Sequence, residues 1–241
     1  AAALGDLNGD GTLDLVTAGG DGFTGWATIR LGRGNGTFGA ETSYSTEAFE
    51  TARICLEDLN QDGIIDLVTA GHDGGVSGVT IRLGTGNGNF GVAITYATES
   101  SESAGLRLGD FNGDGSFDLV TVGQEGAAGA VTVRLGAGNG TFGNATKYST
   151  VLDSMSGVAI GDLNGDGVLD LAASGDGGGS GTAIVFYGDA SNGVGALLPF
   201  SFKYRHTALQ AMPDLSRALN RISAHRGYLG AFQSRIGSAI N

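Results

Sequence analysis

Along residues 53–96, apolar and polar positions fall into four short segments separated by glycine-rich turns. Arg53-Ile54-Cys55-Leu56, Val79-Thr80-Ile81-Arg82-Leu83 and Ala93-Ile94-Thr95-Tyr96 alternate, whereas Asp66-Leu67-Val68-Thr69-Ala70 is a short continuous apolar run. Alternation at period two marks a half-buried strand, and a short apolar run bounded by turns marks a buried one. The same pattern recurs in units starting near residues 1, 53, 105 and 157. The spacing therefore predicts a mainly β chain of four 52-residue repeats, each a four-stranded sheet.

A four-stranded sheet repeated around an axis is a propeller blade, so the expected architecture is a set of four β-propeller blades. Gly34-Asn35-Gly36-Thr37-Phe38-Gly39 recurs at residues 86–91 and 138–143 with small changes, and Arg30, Arg82 and Arg134 share one strand position. Tyr44, Tyr96, Tyr148 and Phe200 share another. A repeated aromatic at a strand end suits packing between units better than ligand binding. The fourth unit departs, with Phe186 at the arginine position and Val194 at the turn phenylalanine, as terminal repeats do.

Past Tyr204 the period changes. Leu215, Leu219, Ile222, Leu229, Ile236 and Ile240 are spaced by threes, fours and sevens, which predicts one C-terminal α-helix with an apolar stripe. Pro213 suits its first turn and Asp214 the positive end of its dipole. Gly227, Gly230 and Gly237 each cost about 1 kcal/mol against alanine, so the helix needs a partner to persist. The domains expected are 1–204 for the repeats and 205–241 for the helix.

The chemistry lies in nine residues per repeat. Asp6-Leu7-Asn8-Gly9-Asp10-Gly11-Thr12-Leu13-Asp14 returns at 58–66, 110–118 and 162–170, a period of 52 residues three times over. Oxygen side chains at positions 1, 3, 5 and 9 converge on one point if the backbone curls, and the glycine at position 6 supplies the turn. Position 7, with nothing common but its backbone, would add a carbonyl. The candidate metal ligands are thus Asp6, Asn8, Asp10, Thr12 and Asp14; Asp58, Asn60, Asp62, Ile64 and Asp66; Asp110, Asn112, Asp114, Ser116 and Asp118; and Asp162, Asn164, Asp166, Val168 and Asp170. Hard oxygen donors without thiol or imidazole point to Ca²⁺, about four per chain. An EF-hand would place an acidic residue at position 12 and continue into a helix, but Thr17, Thr69, Thr121 and Ala173 stand there at the start of strands. The alternative is an Asp/Asn/Gly turn that binds nothing. In the second loop Gln61 replaces the position-4 glycine, where a β-carbon strains a left-handed backbone.

The net charge of −12 divides unevenly. Residues 1–202 hold 24 acidic and 7 basic side chains, and residues 203–241 hold one acidic and 6 basic. Four Ca²⁺ would bring the chain to −4, so folding should couple to the ion. An acidic surface makes nucleic acid an unsuitable partner, and no apolar run approaches the ~20 residues of a membrane span. Cys55 is the only cysteine, and its counterparts Ala3, Arg107 and Ala159 suit a packing role. The chain starts inside a repeat without an initiating methionine, so it is expected to be part of a longer one.

The Asp-Leu-Asn-Gly-Asp-Gly-x-x-Asp-Leu loop, together with Leu-Gly-x-Gly-Asn-Gly-x-Phe-Gly, resembles the FG-GAP or VCBS repeat of integrin α-subunit propellers and bacterial surface proteins. That resemblance implies structural Ca²⁺ held by positions 1, 3, 5 and 9 of each loop. Arg226-Gly227-Tyr228-Leu229-Gly230-Ala231-Phe232-Gln233-Ser234-Arg235-Ile236 resembles the C-terminal core helix of bacterial flagellins. It implies packing against other copies of the chain or flagellin-like subunits. The function expected is a calcium-stabilised structural, surface-display subunit of an extracellular filament, at the bacterial cell surface or in a flagellar filament. The alternative is an adhesin propeller that binds surface glycans or a receptor. His72, His206 and His225 are scattered, and nothing in the sequence places Asp153, Ser154 and His206 together, so the chain is expected not to be an enzyme.

Overall fold

The computed structural model describes residues 1–46, 50–72, 77–98, 102–126, 128–177, 179, 181–188 and 200–201. The chain divides into two compact units, Ala1–Pro199 and Phe200–Asn241. Of the second, only the short strand Phe200–Ser201 is described, and the helix expected over 213–241 lies outside the described residues.

The first unit is mainly β, and no helix occurs among its described residues. Its first sheet is β1 (Ala2–Gly5), β2 (Asp14–Gly20), β3 (Gly25–Gly32) and β4 (Phe38–Ser45), in that spatial order and antiparallel throughout. The second is β5 (Glu50–Glu57), β6 (Asp66–His72), β7 (Ser77–Arg82) and β8 (Ile94–Ala97). The third is β9 (Glu102–Gly109), β10 (Asp118–Glu125), β11 (Ala128–Arg134) and β12 (Thr146–Ser149). The fourth contributes β13 (Ser154–Gly161), β14 (Asp170–Asp176) and β15 (Gly181–Phe186) to this unit. The second strands of the middle sheets are buried along almost their whole length, as the continuous apolar run predicts. The pairing slips by one residue between Thr51 and Arg53, between Ser103 and Gly105, and between Met155 and Gly157. A β-bulge, which sharpens local twist, thus recurs at the 52-residue interval.

The core lies between sheets. One cluster joins Leu7, Val16, Ala27 and Ile29 of the first sheet to Leu67 and Phe90 of the second. Its counterparts join the second sheet to the third and the third to the fourth. A single sheet has no core of its own, and each fully buried Leu, Ile or Val adds about 1.5–3 kcal/mol only when the next sheet covers it. The repeated aromatics pin the same interfaces. Tyr44 meets Phe90 edge-on at 5.9 Å between ring centroids, and its hydroxyl accepts the Phe90 N–H at 3.0 Å. The Arg82 guanidinium lies 5.2 Å from the centre of the Tyr44 ring and donates to the Ser45 and Gly91 carbonyls. Tyr96, Phe142 and Arg134 repeat this arrangement one unit later. In the fourth unit Phe186 takes the arginine's place against Tyr148, ring to ring at 6.3 Å.

The four sheets expected as blades form and pack one against the next, but among the described residues they do not close into a propeller: Leu4 and Leu13 at one end and Leu163 at the other remain more than half exposed.

Candidate functional site

The loop between the first two strands of each sheet is folded by its own side chains. In the first, Asp6 Oδ1 accepts the N–H of Gly9 at 2.8 Å and of Asp10 at 3.2 Å, and Oδ2 accepts that of Gly11 at 2.8 Å. Asn8 Oδ1 accepts the Asp10 N–H and Asn8 Nδ2 donates to Asp10 Oδ2, while Asp10 Oδ1 accepts the Thr12 N–H at 2.7 Å. Gly9 and Gly11 hold φ of 74° and 81°, a left-handed backbone that aims three successive N–H groups at Asp6. Around Asp110 and Asp162 the same bonds form.

The second loop differs where its sequence does. Gln61 takes φ of 60°, the one positive value among described residues other than glycine, and its N–H makes no bond to Asp58. Its side chain instead donates to the Gly115 carbonyl of the next loop at 2.8 Å.

Position 9 is a different kind of residue from positions 1, 3 and 5. Asp14 is fully buried; its Oδ2 accepts the Leu7 N–H at 2.9 Å and its Oδ1 the Gly32 N–H at 2.8 Å. Asp66, Asp118 and Asp170 do the same for Leu59 and Gly84, Phe111 and Gly136, and Leu163 and Gly188. Each ties the loop to the end of the sheet's third strand, a structural duty that the ligand pattern did not reveal. The glycine partner has no room for a side chain. A Cβ would fall 2.2 Å from the Leu13 carbonyl oxygen at Gly32, and 2.3, 2.1 and 2.3 Å from the equivalent oxygens at Gly84, Gly136 and Gly188. Identity of this glycine across all four units was the available signal.

The electrostatics follow the placement. Burial pushes the Asp66 and Asp118 carboxyls up, against the pull of their two N–H bonds. Asp10 is held down by its bond from Asn8, Asp114 by the Ser116 N–H, and Asp162 by the Gly167 N–H. Among the described residues, no group of three or more His, Cys, Asp or Glu converges closely enough to hold a metal ion. The donor chemistry suits a hard cation at positions 1, 3 and 5, where half-buried or exposed carboxylate and amide groups keep lone pairs beyond those taken by N–H groups. At position 9 each oxygen accepts one N–H, as those of Asp10 do, but the carboxylate is fully buried. The carbonyls of Thr12, Ile64, Ser116 and Val168 lie beside these groups in the chain. Asp153 precedes β13 and Ser154 opens it, while His206 is outside the described residues. No helix among the described residues is long and apolar enough to cross a membrane.

No curated protein matches the chain. Among solved structures, a rhamnogalacturonan lyase of Bacillus licheniformis is similar at 14% identity and a TM-score of 0.50, over 81% of this chain and 41% of the lyase. The exotype rhamnogalacturonan lyase YesX is similar at 15% identity and 0.50, over 81% of this chain and 40% of that one. The chain spans about two fifths of the length of these lyases. Likeness at this identity shows the fold alone, but it corrects the expectation that the chain is not an enzyme: this arrangement of sheets occurs within enzymes, so scattered histidines do not decide the matter. The model of the FG-GAP-like repeat matches residues 58–121 and 110–173, each span running from the first aspartate of one loop to the strand that leaves the next. Residues 58–173 therefore carry FG-GAP-like repeats.

Proposed function

We propose that the four loops bind Ca²⁺ as structural ions, and that the repeat array is the displayed part of a subunit of an extracellular, flagellin-like filament. The observation that carries the metal reading is the recurrence of one loop fold four times, each with Asp and Asn oxygens gathered by left-handed backbone at positions 4 and 6, glycine in every case but Gln61. Side chains at positions 1, 3 and 5 and the position-7 carbonyl would hold the ion. Position 9 would brace the loop beneath it. The cation would offset the carboxylates crowded in each loop and couple folding to calcium. Domains of 1–204 and 205–241 fit this division of labour. The filament part rests on the run Arg226 to Ile236 and on the apolar stripe of residues 215–240.

Calorimetric titration with Ca²⁺ should reveal about four sites per chain, with a rise in melting temperature that EDTA reverses and Mg²⁺ reproduces poorly. Asp10→Ala should remove one site. No heat and no shift would refute the metal reading. For the filament, Leu229→Asp should abolish assembly seen by electron microscopy while leaving the calcium-dependent melt intact. Unchanged filaments would count against it.

A further inference from the structure

Gln61 is the residue by which the second loop leaves the pattern of the other three. At the same position Gly9, Gly113 and Gly165 have no side chain, and each turns its N–H to the first aspartate of its own loop. Gln61 holds the same left-handed backbone, with φ of 60°, at a steric cost that glycine does not carry. Nothing within the loop needs a glutamine. Its side chain instead reaches the next sheet, where the amide donates to the Gly115 carbonyl at 2.8 Å.

The peptide that receives this bond lies among the candidate ligands of the third loop. Between Gly115 and Ser116, its carbonyl takes the Gln61 amide and its N–H donates to Asp114 Oδ1 at 2.7 Å. One peptide earlier, the Gly115 N–H donates to Asp110 Oδ2 at 2.9 Å. On the other side, Gln61 stands between Asn60 and Asp62, whose side chains bond each other at 2.9 Å, and the Asp62 N–H donates to Asp58 at 3.1 Å. One path of covalent and hydrogen bonds thus runs from the carboxylates of the second loop through Gln61 to Asp114. A peptide whose carbonyl accepts is a stronger N–H donor, so bonds along such a path reinforce one another.

We propose that Gln61 couples the second and third loops, so that Ca²⁺ at Asp58, Asn60 and Asp62 raises the affinity of Asp110, Asn112 and Asp114 for another ion, and the reverse. This rests on the calcium reading given above. An ion in the second loop fixes the backbone on both sides of Gln61 and with it the direction of the side chain. The Gly115–Ser116 peptide is then held before the third loop fills, and less ordering is left to the ion that enters there. Linkage makes the effect reciprocal, and one hydrogen bond of this kind carries a coupling of about two- to tenfold in affinity. Gly9, Gly113 and Gly165 have no side chain to send to a neighbour, so the first and fourth loops bind independently.

The test follows the Gly63 and Gly115 amides by NMR while Ca²⁺ is added to the full chain carrying Leu229→Asp, which removes the proposed helical contact. Each of these N–H groups donates to the first aspartate of its loop and reports that loop alone. Adding Asp58→Ala, which disables the second loop, should weaken the third about two- to tenfold. With Gln61→Gly or Gln61→Ala already in place, Asp58→Ala should leave the third loop's affinity unchanged. Gln61→Ala keeps the left-handed strain, so it separates loss of the side-chain bond from relief of the backbone. Asp62→Asn replaces Asp58→Ala if the latter lowers the melting temperature in EDTA. Binding at both loops with no effect of Asp58→Ala on the third, or a coupling that survives both Gln61 substitutions, would overturn the proposal and leave the calcium reading standing. Amides that do not move at all would overturn both.

Discussion

Asp118 accepts two N–H groups from segments on either side of it in the chain, Phe111 seven residues before and Gly136 eighteen after. Asp118→Ala would leave both donors without their acceptor, at about 1–3 kcal/mol for each that stays buried. Urea unfolding should register that loss, and Asp118→Asn, which keeps one acceptor oxygen, should lose less. Equal stability of Asp118→Ala and the parent would refute the brace. Gly84→Ala places a methyl 2.3 Å from the Ile65 carbonyl oxygen; the backbone must shift, at about 1–3 kcal/mol. Gly19→Ala, with nothing within 4 Å and no positive φ, is the control expected to be near neutral. The spacing of Asp6, Asn8 and Asp10 was legible because those residues act within one turn. The duty of Asp14 was not, because its second partner arrives eighteen residues later along another strand.

Sheets in this stack recognise one another through a small set of side chains. Arg134 lies over Tyr96 while holding the Ala97 and Gly143 carbonyls. A double-mutant cycle on Arg134→Ala and Tyr96→Leu should give a coupling of about 0.5–2 kcal/mol. Arg30, at the same strand position, pairs instead with exposed Glu41, so Arg30→Ala should change stability by less than about 1 kcal/mol. Comparable effects at Arg30 and Arg134 would show that the stacking on Tyr96 adds nothing. Strand number, order and the turn glycines could be read from the alternation, and the Tyr and Phe series announced contacts between units. The recurring bulge at residues 52, 104 and 156 could not, since a bulge is a relation between two strands and leaves no mark in the periodicity of one.

At the scale of the whole unit, the 52-residue period foretold the four sheets but not whether they close. Closure depends on the angle between neighbours, which interface side chains set and local pattern does not. Because the apolar clusters lie between sheets, this stack should answer mechanical load differently from a domain with one central core. Pulled from its ends, an outermost sheet shields no cluster but the one it shares with its neighbour, and releasing it leaves the remaining clusters whole. Force should therefore peel the unit a sheet at a time. Each rupture frees one period of chain, roughly 170–190 Å of extended length, and optical-tweezer traces should show a ladder of steps of that size. A single rip spanning all the sheets would mean that the interfaces fail together. If the ladder appears, the stack yields length under tension in graded instalments, and the sheets still folded keep the load-bearing path intact.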